Sequence, residues 1–156
     1  MPSRRLFTFN GKNNGLIIVY GKYGSGKTTL FQKWTEQHGI PYLNINSLIS
    51  EQTIGSPSGD RPEAVQREFR DTIDGAEGDV ALCDNLELLF AADLSLDPLR
   101  LLKQAARTKT VVAAWDGSWD GSNLSYAVPG HDEYRVYSPA DLRGVTIYSV
   151  NEASAL

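Results

Sequence analysis

Apolar residues fall along the chain in short blocks whose spacing switches between two periods. Leu16-Ile17-Ile18-Val19-Tyr20, Val80-Ala81-Leu82-Cys83 and Thr110 to Trp115 are unbroken apolar runs, as in strands buried on both faces. Between them the pattern is helical. Leu30, Phe31 and Trp34 mark a helix from about Lys27 to Gln37, closed by Gly39. Val65, Phe69 and Ile73 recur every four residues behind Asp60-Arg61-Pro62-Glu63. That tetrapeptide reads as a helix start, with Asp60 as N-cap and Glu63 completing a capping box, and Gly75 marks the end. Leu99, Leu102 and Ala106 share one face of a helix opening at Asp97-Pro98 and running to about Arg107.

Weaker signals fill the rest. Leu6 to Asn10 predicts a short strand, followed by the turn-rich residues 11–14. Pro41 to Asn46 predicts a second core strand. The polar stretch 47–60 reads as a loop with at most one turn of helix. Asp116 to Asn123 is a loop by composition, and the tyrosine-rich segment 124–138 a hairpin or irregular excursion. Ser138 to Asp141 suits a very short helix, and Gly144 to Val150 the last strand. Strands alternating with helices predict a three-layer α/β fold around a mostly parallel, five-stranded sheet. Ligands bind such sheets at the carboxyl ends of their strands.

The bulk numbers fit one domain spanning residues 1–156, with 41% apolar and 22% charged residues. The net charge of −4 hides an asymmetry. Residues 1–46 hold six Lys/Arg against one acid, and the remainder nine against eighteen. So acidic a chain lacks the basic face of a free-standing duplex-DNA binder, and DNA contact is expected only through a complex. Cys83, the lone cysteine, sits in an apolar run and reads as a small core residue. Arg4 and Arg5 precede no apolar signal core, and no stretch reaches the roughly 18–20 apolar residues of a membrane span. A cytoplasmic protein with no membrane contact is the expectation.

The chemistry concentrates behind the first apolar run. Gly21-Lys22-Tyr23-Gly24-Ser25-Gly26-Lys27-Thr28 fits the phosphate-binding P-loop (Walker A), in its strand–loop–helix setting. Gly21, Tyr23, Gly24, Ser25, Gly26, Lys27, Thr28 and Thr29 are the candidate ATP-binding residues. Backbone N–H groups there curl around phosphate oxygens, Lys27 reaches the β- and γ-phosphates, and Thr28 can ligate Mg²⁺. Guanine specificity is not expected, because no N-K-x-D motif occurs. Asp84 ends a buried strand 57 positions after Lys27 and fits the Walker B carboxylate, the second metal candidate. That order suits P-loop ATPases with a further strand inserted beside the Walker A strand.

The catalytic base is less plainly written. ATPases of this class place Glu or Asp directly after the Walker B Asp, where this chain has Asn85, which can hold a water but not take its proton. Glu87 can substitute only if the chain turns sharply after the strand. Asp116 falls where such ATPases keep a polar sensor of the γ-phosphate, but the bulk of Trp115 beside it favours a turn-forming role. Arg143 occupies the position of an arginine finger offered to a neighbouring subunit, although an isolated arginine is more often a surface residue. His131, beside Asp132 and Glu133, lacks the partners of a zinc centre. Of Tyr126, Tyr134, Arg135 and Tyr137, at least two are expected in the core, the rest being free to stack on bases or a partner.

With these residues in place the chain resembles the BrxF-like small P-loop proteins of type III BREX phage-defence systems. The likeness rests on overall length, the GKYGSGKTTL loop, the LCDNLELLF segment and the late LSYAVPGHDEYRVYS segment. It implies an AAA-like ATPase core acting with other phage-defence proteins, among them a methyltransferase and larger ATPases. It also implies nucleotide on Gly21, Gly26, Lys27 and Thr28, and metal on Asp84. With about six residues after the last strand, the helical lid of full AAA proteins is expected to be missing. Three activities remain open: an ATPase with weak or partner-stimulated turnover, assembling as a homo-oligomer if Arg143 serves a neighbour; a non-hydrolysing nucleotide-sensing adaptor; and a small kinase, which needs an arginine-bearing lid that residues 110–134 do not supply.

Overall fold

A computed structural model describes residues 8–9, 12–13, 15–53 and 60–156. Two short strands, β1 (Thr8–Phe9) and β2 (Lys12–Asn13), form an antiparallel pair of their own. Strand therefore occupies part of the expected turn at 11–14, and the other residues of the 6–10 strand lie outside the described ones. The main sheet uses β3 (Leu16–Gly21), β4 (Tyr42–Asn44), β5 (Val80–Asp84), β6 (Thr110–Trp119) and β9 (Thr146–Ser149) in the order β4-β5-β6-β3-β9. All four pairings in this row are parallel. β6 is thus the inserted strand, lying between the strand that feeds the phosphate loop and the strand that ends in Asp84.

The sheet has seven strands rather than five. β6 does not stop at Trp115 but runs on to Trp119, where it pairs antiparallel with β7 (Leu124–Tyr126), and β7 pairs with β8 (Arg135–Tyr137). The supposed loop at 116–123 is therefore half strand. Asp120 makes the turn, its Oδ1 accepting the N–H groups of Ser122 (2.8 Å) and Asn123 (2.7 Å). Gly117 permits the crossing: a Cβ there would collide with the Ser125 carbonyl.

Alternation along the strands separates two layers. Ile17, Val19, Val80, Leu82, Val112 and Ala114 face α1 (Lys27–His38) and α5 (Val150–Ser154), whose Leu30, Phe31, Trp34 and Ala153 complete one core cluster. Leu16, Ile18, Ala81, Cys83, Val111, Ala113 and Trp115 face the other way, onto α2 (Ile45–Thr53), α3 (Arg61–Gly75) and α4 (Pro98–Ala105). Cys83 is fully buried there, as expected of a core residue.

Helix α1 matches its expected bounds, with Gly39 left-handed at φ 68° and its N–H donated to Thr35 O. α2 is a correction. Ile45, Ile49 and Thr53 bury one face at a spacing of four, and Asn44 Oδ1 accepts the Ser47 N–H at 3.2 Å, so the chain enters a helix directly from β4. The rest of the expected 47–60 loop, residues 54–59, lies outside the described residues. At α3 the capping box does not form: Asp60 has helical backbone angles and makes no side-chain cap. Asp97 does cap α4, accepting the Arg100 N–H at 3.3 Å. Residues 138–141 make hydrogen-bonded turns, not a helix, and a real capping box, Ser149 with Glu152, starts α5 after the last strand. No helix among the described residues is long and apolar enough to cross a membrane.

Candidate functional site

At the carboxyl ends of β3, β5 and β6 lies a cleft of about 280 Å³, lined by Tyr23, Gly24, Gly26, Lys27, Thr28, Thr29, Asp84, Asn85 and Asp116. The loop between β3 and α1 forms one wall. Gly24 and Gly26 sit at φ 79° and 103°, where a side chain costs about 1–2 kcal/mol. Ser25 N–H closes the turn on Lys22 O at 3.0 Å. The first N–H groups of α1 have no acceptor within the helix, as at every helix start, and carry the positive end of its dipole.

Lys27 is almost fully buried, 5% exposed. Its ammonium donates to Gly21 O (2.7 Å), Lys22 O (2.8 Å) and Ser25 Oγ (3.2 Å), and pairs with Asp116 Oδ1 at 2.9 Å. Asp116 therefore belongs to the site and is no turn former. Strand parity explains this: Val112, Ala114 and Asp116 share the α1 face, whereas Trp115 points to the opposite layer. There Trp115 packs edge-on against Phe90 and Tyr126 and donates its indole N–H to Ser125 O, so its bulk does not crowd the cleft.

Asp84 stands across the cleft, 4% exposed and held by three donors. Thr28 Oγ1 donates to its Oδ2 at 2.6 Å, Tyr42 OH to the same oxygen at 2.7 Å, and the Asn85 N–H to Oδ1 at 2.9 Å. Tyr42 was not expected from the sequence. Burial, reinforced by the hydrogen bond and charge of Asp84, holds its phenol far above the ordinary tyrosine value, so it stays a donor. Asn85 has a left-handed backbone at φ 56°, a conformation in which Asn is enriched several-fold over other non-glycine residues. Its carbonyl accepts the Asn46 N–H at 3.0 Å, tying the exit of β5 to α2. Asn at position 85 thus suits the backbone there.

Two residues after the end of β5 the chain enters a 3₁₀ turn over Glu87–Phe90. Glu87 does not line the cleft but feels its charges. Burial holds its carboxyl above the usual range, with Asp116, Asp84 and Glu133 adding repulsion and its own N–H opposing it. Arg143 is exposed and is not among the residues lining the cleft. Tyr126 and Tyr137 are core residues, while Tyr134 and Arg135 are half-buried. His131 Nδ1 accepts the Glu133 N–H at 3.1 Å.

The donor set fits a metal–nucleotide pair. A hydroxyl and a carboxylate are hard oxygen ligands, and Mg²⁺ is usually held by one or two carboxylates plus substrate phosphates. Among the described residues no group of three or more His, Cys, Asp or Glu could hold a metal alone.

No protein-family model matches the chain, and no solved structure matches it significantly. Among curated proteins it is 32% identical over 87 residues to a putative adenylate kinase of Pyrococcus furiosus. That match takes in 51% of this chain and 45% of the relative, so the chain spans about half the length of the protein it resembles. This is a P-loop NTPase-like fold. The parallel sheet order and the strand–loop–helix setting of residues 16–38 carry this, and the likeness to the relative extends over half of the chain.

Proposed function

We propose that the chain binds Mg-ATP in the cleft between the phosphate loop and Asp84 and hydrolyses it, slowly when alone. The observation that carries this reading is the meeting of Thr28 and Asp84 at 2.6 Å, with the buried Lys27 ammonium in the same cleft. Lys27 and the loop N–H groups, from Tyr23 to Thr29, would bind the phosphates. Thr28 and Asp84 would hold Mg²⁺, which when bound neutralises charge on the β- and γ-oxygens. Water would attack the γ-phosphorus as the bond to the bridging oxygen breaks and ADP leaves. Its proton would pass through a further water to Glu87, which lies outside the cleft lining. Burial raises the affinity of Glu87 for a proton. Asn85, at the cleft wall, would orient the attacking water. Phosphate release from Mg-ATP by the purified protein tests this; turnover surviving in Lys27→Ala would refute it.

A second reading, phosphoryl transfer to another acceptor, is favoured by the putative adenylate kinase match. Adding AMP separates the two: a kinase makes two ADP without phosphate, an ATPase ignores AMP. Nucleotide binding with no turnover either way would favour the sensing adaptor. A place among phage-defence proteins, with Arg143 serving a neighbouring copy, is the finer proposal. It rests on the resemblance of the 124–138 segment, and neither the fold nor the relative adds to it.

A further inference from the structure

The register of β4 on β5 places Tyr42 opposite Leu82 and Asn44 opposite Asp84. Tyr42 is therefore the diagonal neighbour of Asp84 on the α1 face, a distance an aromatic side chain can span. Its ring packs against the cluster built from Leu30, Phe31 and Trp34, and its hydroxyl meets Asp84 Oδ2 at 2.7 Å. The same oxygen takes the Thr28 hydroxyl at 2.6 Å. A hydroxyl has lone pairs for a cation and a proton to donate, so Thr28 can keep this bond while it ligates, and Tyr42 is the second side-chain donor on Oδ2.

We infer that Tyr42 is a positioning residue for the metal site, fixing the Asp84 carboxylate so that Mg²⁺ is received without the side chain having to reorder. The inference rests on the Mg-ATP reading and deepens it: Tyr42 sets how much Mg²⁺ the site needs, not how tightly it grips the phosphates. Partners that orient a metal-binding side chain in this way typically govern affinity by about 10–100-fold.

The test compares the parent chain with Tyr42→Phe, which removes one oxygen and keeps the packed ring. Binding of a fluorescent N-methylanthraniloyl ATP is titrated in EDTA and then at rising Mg²⁺, with the melting temperature in EDTA recorded for both proteins. The expected result is EDTA affinity unchanged within about 2-fold and a half-saturating Mg²⁺ concentration raised about 10-fold. An unchanged Mg²⁺ requirement overturns the inference while the parent's binding upholds the Mg-ATP reading. Equal loss in EDTA and in Mg²⁺ also overturns it, since Tyr42 would then only support the fold. No binding by the parent chain in either buffer defeats the Mg-ATP reading itself, and this inference with it.

Discussion

Helix α1 has a cleft at each end, and the two are nearly the same size. The one at its N-terminus measures about 280 Å³, and the one at its C-terminus about 290 Å³, lined by Gly39, Ile40, Pro41, Glu77, Gly78, Asp79 and Val80. Both contain glycines and two carboxylates. They differ in what converges on them. The first receives the positive end of the helix, a buried ammonium and a hydroxyl already seated on a carboxylate. The second receives the negative end, has no cation in its lining, and its backbone is committed to the sheet: Pro41 O accepts Leu82 N–H and Asp79 O accepts Thr110 N–H. Volume does not make an anion site; oriented donors do.

The largest effect separates binding in the first cleft from the proton transfer proposed for a residue just outside it. Glu87→Gln is expected to lower phosphate release at least about 100-fold while ATP affinity stays within about 2-fold. Unchanged turnover would remove Glu87 from the mechanism. Next, Asp116→Asn removes a negative charge from the phosphate side and leaves Lys27 without its counter-charge. Calorimetry should show Mg-ATP bound about 5-fold more tightly, as one nearby like charge is worth about 1 kcal/mol, and the nucleotide-free protein should melt lower. Weaker binding would mean that Asp116 holds the ligand rather than the lysine.

A matched pair of substitutions then compares the two helix ends directly. Gly26→Ala and Gly39→Ala each place a Cβ on a left-handed backbone, at φ 103° and 68°, and each should cost about 1–2 kcal/mol in denaturant melts. Only Gly26→Ala should also weaken ATP binding. The smallest effect is on pH. Glu87 binds its proton more tightly folded than unfolded, so its contribution is present below the unfolded carboxylate value and lost as pH rises through the raised folded one. Glu87→Gln should therefore be more stable than the parent at pH 7, with the difference closing by about pH 4. A gap that widens on acidification would reverse the sign of the burial effect.

What the sequence declared and what it hid divide along the same physical line. The phosphate loop and Asp84 are local signals: a glycine pattern behind an apolar run, and an acid at the end of one. The layers and the inserted strand followed from alternation. Asp116 and Tyr42 were not legible as partners of Lys27 and Asp84, because their meeting depends on β6 lying between β3 and β5 and on the β4 register. Asp116 did carry a usable signal in the parity of Val112, Ala114 and Asp116, which the bulk of Trp115 obscured. Helix α2 hid behind polar residues, though Asn44 followed by Ile45 and Ile49 spells a cap and a buried face. The box at Asp60 failed for the opposite reason, since its local pattern was right and the backbone there is already helical.

One titration bears most directly on the nucleotide site: Mg-ATP into the purified chain by calorimetry, beside Lys27→Ala. A single site per chain, weakened about 100-fold or more when the buried ammonium is removed, is the expected result, since charge-assisted contacts to phosphate are each worth about 1.5–3 kcal/mol. Equal affinity in the two proteins would contradict it, and would mean that nucleotide, if bound at all, sits outside the cleft at the start of α1.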